Sequence, residues 1–215
     1  MALAELAFHE PRPDLPAARK DLGLAREGTP TAAAIERADY LQIWIEDATS
    51  SAGESAVITA ANHFLEQHRD SRFTAEVRMK LAEAYFRKGD FANAQTQFEL
   101  LAQQKPEAPL AEKALFFAAR SAMQSMGAGA LGHALALLDE VGKMGGELKW
   151  AARNEEAAIE RRLGKNREAQ TLYDEVLKND AKPAERREAL CGKGDIFYAL
   201  GTEDPQTYRR AIELY

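Results

Sequence analysis

The residues with the most chemical potential in this 215-residue chain are a glycine cluster, four histidines, one cysteine and a few adjacent carboxylates. Gly127–Gly132, GAGALG, matches the G-x-G-x-x-G of dinucleotide sites. That motif works only where a strand feeds the turn and a helix follows, so that backbone N–H groups face a pyrophosphate. Here the preceding LFFAARSAMQSM carries a helical pattern, and no β-α-β unit can be drawn around it. The expected role is a glycine-rich loop between helices. GKGD at Gly192–Asp195 and GKN at Gly164–Asn166 lack the G-x4-GK-[ST] frame of a phosphate loop. Gly192 and Gly194 are expected at close helix approaches, with Cys191 as a small buried apolar residue. A nucleophilic Cys191 needs a base, and none is near in sequence.

His9, His63, His68 and His133 are scattered. His63 and His68, five residues apart, fall about 140° apart on a helix and are not placed to share a metal as i, i+4 ligands are. Glu155 and Glu156 point to different helix faces, and no Ser-His-Asp set stands out. No catalytic group, cofactor site or metal site is expected.

The elements that carry these residues are helices. About a fifth of the residues are Ala, as close helix packing favours. There is no clear run of alternating β-branched residues and no Asn-Gly or Asp-Gly hairpin turn. The net charge of −6 argues against a general nucleic-acid binder. The single cysteine excludes an intrachain disulfide framework. No apolar run reaches the roughly 18 residues that cross a membrane, and the first residues have no basic n-region or long apolar core of a signal peptide.

The clearest unit is Ala75–Pro106. Leu81, Ala82 and Tyr85 share one helical face, Gly89 stops the helix, and Asp90 caps the next. In that second helix Phe91, Ala94, Phe98 and Leu101 form a narrow apolar stripe, and Pro106 blocks continuation. An A-x3-aromatic or A-x3-Leu pair recurs five times, as Ala60/Phe64, Ala94/Phe98, Ala134/Leu138, Ala169/Tyr173 and Ala211/Tyr215. Residues 1–31, with Pro11, Pro13, Pro16 and Pro30, read as an irregular lead-in with a short helix near Ala17–Leu24. Helices are expected over Ala32–Ala48, Ala56–His68, Leu110–Met126, Leu131–Val141, Leu148–Leu163 and Ala184–Leu200, with loops at Thr49–Ser55 and through Pro205. In the fourth unit Glu160 stands where Tyr85 stands in the clearest one, and with Glu156 it implies a wetter seam. About five helix pairs thus span residues 32–215. The pattern is still helical at Tyr215, so the chain is expected to be part of a longer protein.

The series Arg78-x2-Leu81-Ala82-x2-Tyr85, Ala94-x3-Phe98, Pro106 resembles the tetratricopeptide repeat, with Arg78 in place of Trp and Ala82 in place of Gly. The junctions FLEQHRDSRFTAEVR (Phe64–Arg78) and QQKPEAPLAEKAL (Gln103–Leu115) resemble those of bacterial envelope repeat proteins. These include the lipoprotein of the outer-membrane β-barrel assembly machinery and the Tol-Pal-associated coordinators. Ser71, Phe73, Ala75 and Glu76 match at one junction, and Pro106, Pro109, Ala111 and Ala114 at the other. The resemblance, over Ala56–Tyr215, implies an all-α, right-handed superhelix without catalysis that docks a protein or peptide in the periplasm or cell envelope. It further implies a concave wall made by the first helix of each pair. That wall would carry Glu76, Met79, Glu83, Phe86 and Arg87, then Phe116, Arg120 and Met123, then Asn154, Arg161 and Arg162, then Asp195 and Tyr198. Met, Phe and Tyr beside Arg are residue types that anchor interfaces. Arg161, Arg162 and Asn154 together suggest a clamp for a peptide carboxylate. The rival expectations are a spacer or oligomerisation arm of a longer protein and, more remotely, a nucleotide-binding enzyme through Gly127–Gly132.

Overall fold

The computed structural model describes residues 1–9, 11–27, 29–49, 53–104, 107–125, 129–201 and 206–215. Among them there are twelve helices and no strand, and within each unit helices adjacent in sequence pack together. The fold is all-α, built of helix hairpins. The chain divides into two compact units, Met1–Pro106 and Glu107–Tyr215.

The first unit holds the hairpins α1 (Ala2–His9)/α2 (Leu15–Arg26), α3 (Ala32–Ala48)/α4 (Gly53–Gln67) and α5 (Thr74–Lys88)/α6 (Phe91–Gln103). The expected irregular lead-in is therefore itself a hairpin. Pro11 and Pro13 lie in its turn, and Pro16 falls in the first turn of α2, where its missing N–H has no helical partner to lose. Asp14 accepts a hydrogen bond from the Ala17 N–H at 3.0 Å and caps α2. Eight residues are too few to hold a helix in water unaided. What holds α1 is packing, since Ala4, Ala18 and Leu22 are buried against Ala38, Leu41 and Ile45. The neighbouring core cluster gathers Ile43, Val57, Ala61, Phe64, Val77 and Leu81, with Tyr85 against it. Gly89, at φ +80°, ends α5 in the left-handed conformation, and Asp90 caps α6 through the Asn93 N–H.

The second unit holds α7 (Ala108–Gln124)/α8 (Ala130–Met144), α9 (Lys149–Arg162)/α10 (Asn166–Lys178) and α11 (Pro183–Leu200)/α12 (Thr207–Leu214). Its core cluster joins Ala157, Ala169, Tyr173, Val176, Ala189 and Ile196. The start of α9 is tied across the unit. The Leu148 N–H donates to the Glu112 carboxylate of α7 at 3.0 Å, and Glu112 is only 5% exposed.

The recurring pairs occupy the places their spacing implies. Phe64, Ala94, Phe98, Ala134, Leu138, Ala169, Tyr173 and Ala211 are buried, and Ala60 packs against its cluster. Tyr215 is exposed. Pro106 and Pro205 lie outside the described residues, as do Met126, Gly127 and Ala128. No helix among the described residues is long and apolar enough to cross a membrane.

Candidate partner-binding face

Within the first unit, α3 and α5 are linked by polar side chains. The Tyr40 hydroxyl of α3 donates to Glu76 of α5 at 2.7 Å. Burial, with this bond to a carboxylate, pushes the Tyr40 phenol up to about 12. Lys80 donates to Asp47 and lies 3.0 Å from Glu83, with its ammonium 4.7 Å from the Trp44 ring centroid. Burial alone would lower the Lys80 ammonium; its two carboxylate partners outweigh that and hold it above its usual range. Arg87 bonds Glu54 and Asp47, each at 2.7 Å, and is raised by the Glu54 bond first. These ties order the side chains along one wall of the unit.

The sequence-predicted residues are thus placed unequally. Glu76 is exposed and accepts from Tyr40; Glu83 is half-buried beside Lys80; Arg87 is exposed but paired. Phe86 is half-buried, edge-on to Phe91 at 5.4 Å. Met79, at 8% exposure, faces the interior and not a partner. Tyr40, Trp44 and Asp47 belong to the same wall and were not among the predicted residues. Their spacing, three to four residues along α3, was the available signal.

In the second unit Arg120 of α7 reaches Glu155 of α9 at 3.5 Å, and Arg161 of α9 reaches Asp195 of α11 at 3.1 Å. Asp195 also accepts from the Tyr215 hydroxyl at 2.7 Å. Met123 is half-buried, Arg162 is exposed, and Tyr198 is 61% exposed with its ring edge-on to Tyr208. Phe116 is buried under Arg120. Asn154 is fully buried, and its amide donates to the Glu185 carbonyl at 2.9 Å. The carboxylate clamp is therefore not assembled: Asn154 is spent inside, and Arg161 is engaged by Asp195.

The carboxylates, glycines and cysteine weighed for chemistry lie in the second unit. Glu156 is buried and bonded to Arg153 at 2.6 Å, and burial raises its carboxyl above the usual range. Glu155 is raised by burial too, with Arg120 opposing. Glu160 pairs with Lys165 at 3.0 Å, so the polar seam expected in this hairpin is present and carries ion pairs, while Glu156 Oε1 is buried without a hydrogen-bond partner. Helix α7 precedes Gly127–Gly132, of which Gly127 and Ala128 lie outside the described residues; Gly129, at φ +83°, opens α8. Cys191 is exposed, contrary to the expectation of burial. It sits about 100° around α11 from Gly192, one residue's turn of the helix, and so faces away from that close approach.

His63 and His68 also depart from the helical-wheel argument. Both Nε2 atoms approach the same Asp39 oxygen, at 3.7 and 2.9 Å, and Arg26 bonds the other oxygen at 2.8 Å. His68 follows the last residue of α4, Gln67, and its N–H still donates to the Phe64 carbonyl at 2.9 Å. Asp39 is 6% exposed, so this is an ionic node joining α2, α3 and α4. Among the described residues no group of three has the arrangement of a metal site.

No protein-family model matches the sequence, and no curated protein matches it.

Proposed function

We propose that the chain is a non-catalytic docking module of tetratricopeptide type, which binds a partner protein or peptide along the first helices of its hairpins. The cellular setting we propose is the assembly of a bacterial envelope complex, on the resemblance of the junctions. The observation that carries the reading is the ordered wall. Side chains on the first helices are fixed by ties to the next first helix, Tyr40 to Glu76 and Lys80 to Asp47, and Arg161 to Asp195. Fixing rotamers in advance cuts the entropy lost on binding. Beside these ties stand Tyr198 and Arg162, exposed and of the types that anchor interfaces.

The test is site-specific photo-crosslinking in source cells. A photoreactive amino acid at Tyr198 should capture a discrete protein that the same group at Thr171, exposed on a second helix, does not. Crosslinks from Thr171 alone would refute the proposed face.

A second reading, an oligomerisation arm, is favoured by the exposed Ile212, Tyr215 and Tyr198 of the last hairpin, at 75%, 66% and 61%. A mass that rises with concentration in light scattering, and falls on Ile212→Asp, would support it.

A further inference from the structure

The turn between α4 and α5 folds back beside the start of α3, and a cleft of about 620 Å3 lies between them. Arg69, Arg72 and Phe73 of the turn line it, with Glu36 and Arg37 of α3 opposite. The floor is rigid. Phe73 stacks on Tyr40 with ring centroids 4.3 Å apart. The guanidinium of Arg72 lies 4.7 Å from the Phe73 centroid, and that of Arg37 lies 5.6 Å from it. Arg37 is further held by Glu5 at 2.6 Å. Ser71 is fixed in turn, donating to Glu36 at 2.5 Å and accepting from the Phe73 N–H at 3.1 Å.

The charges in this cleft are used unequally. Arg37 and Glu36 are engaged within the chain, and His68 is turned to Asp39. Arg69 and Arg72 are exposed, and neither has an ion pair or side-chain hydrogen bond among the described residues. Asp70 is the one exposed acid lining the cleft. Two unpaired arginines, Arg72 against the Phe73 ring and Arg69 in the same turn, contrast with a chain whose net charge is −6. A planar guanidinium preset against a ring loses little freedom when it pairs a carboxylate through two parallel bonds. Charge complementarity between an acidic ligand and these two arginines gives register as well as attraction.

We infer that this cleft docks an acidic segment of a partner protein, with Asp or Glu carboxylates paired by Arg69 and Arg72 over the Phe73 ring. The inference rests on the docking-module reading for the class of ligand alone. The cleft is formed by a junction turn and the start of α3, and it adjoins the first-helix face at Tyr40.

The probe is a fluorescently labelled peptide of alternating Glu and Asp, with its Gln/Asn counterpart as control, read by anisotropy at low salt. The acidic peptide should bind and the neutral one should not. Arg69→Gln/Arg72→Gln should weaken binding by about tenfold or more, the loss expected for removing one or two charge-assisted bonds. Arg69→Glu/Arg72→Glu should abolish it. Circular dichroism equal to that of the parent chain shows that each variant is folded, and both arginines are exposed. Thr171→Ala, at an exposed position on α10 outside both surfaces, should leave peptide binding unchanged. Equal binding of both peptides, or unchanged affinity in the two arginine variants, would overturn the assignment. So would displacement by inorganic phosphate or a single-stranded oligonucleotide at lower concentration than by unlabelled peptide, which would make it a phosphate site. If the peptide fails to bind at all, the cleft assignment falls, while crosslinking at Tyr198 decides the first-helix reading separately.

Discussion

Gly192→Ala isolates the closest helix approach in the second unit. A Cβ at Gly192 on α11 would stand 2.7 Å from Cε2 of Tyr173 on α10, and nearer still to its Cζ and Oη. Carbon atoms in contact prefer roughly 3.5–4.0 Å, so the ring or α11 must give way by about 1 Å. Tyr173 has little room to yield. It is 2% exposed and packed among Ala157, Ala169, Val176 and Ile196. Overpacking of this kind costs about 1–3 kcal/mol. Against it stands a gain of about 1 kcal/mol from replacing Gly by Ala inside a helix. The cost falls in the upper part of its range because the facing side chain is buried and aromatic, so the net loss is about 1–2 kcal/mol. Each kcal/mol lowers Tm by about 2–4 °C in a chain of this size. The assay is urea unfolding followed by Trp150 fluorescence in a Trp44→Phe background, since Trp150 borders the same cluster. Tyr173→Leu, itself destabilising, removes the obstructing ring end. The Gly192→Ala penalty should shrink in that background, with a coupling of about 0.5–3 kcal/mol. A single variant as stable as the parent, or penalties that simply add, would refute the close-approach argument.

Three further outcomes follow from the same geometry. Glu112→Ala removes the tie to the Leu148 N–H and should cost about 0.5–2 kcal/mol. Gly146→Ala would place a Cβ 2.5 Å from both Glu112 oxygens, and combining the two changes in urea titrations should give less than the sum, whereas full additivity would contradict a shared contact. Asp39→Ala strands Arg26 and His68 and should cost about 1–3 kcal/mol; an unaltered urea midpoint would show that the node contributes nothing. Glu155, raised above its usual 4.5 chiefly by burial, binds its proton more tightly folded than unfolded. Its contribution is therefore most favourable when it is protonated and declines as pH rises through the range above 4.5. Glu155→Gln should flatten that part of the stability profile, and an unchanged difference between midpoints at pH 4.5 and 7 would count against it.

The helices and their hairpin pairing follow from local signals. Gly89 and Asp90, with the A-x3-aromatic spacing, give turn, cap and core face together, because caps and periodicity act within a few residues. Gly192 and Gly194 were legible as approach points, since a missing side chain inside a helix has few other uses. The α1/α2 hairpin was not legible, because prolines masked it and its short first helix exists only by packing on Ala38, Leu41 and Ile45. The candidate face was legible in part. Sequence placed Arg87, Arg161 and Tyr198 on outward faces, but burial of Met79, Phe116 and Asn154 depends on which way each helix is rotated about its axis. That rotation is set by groups distant in sequence, such as the Glu185 carbonyl that accepts from the Asn154 amide. The meeting of His63 and His68 at Asp39, and of Arg37 and Arg72 over Phe73, likewise required tertiary structure. The amino-acid sequence by itself determined an all-α chain of hairpins, because helix periodicity, glycine stops and caps are local. Which charges are spent inside and which, like Arg69 and Arg72, stay unpaired was decided only when helices some 30 residues apart came into contact.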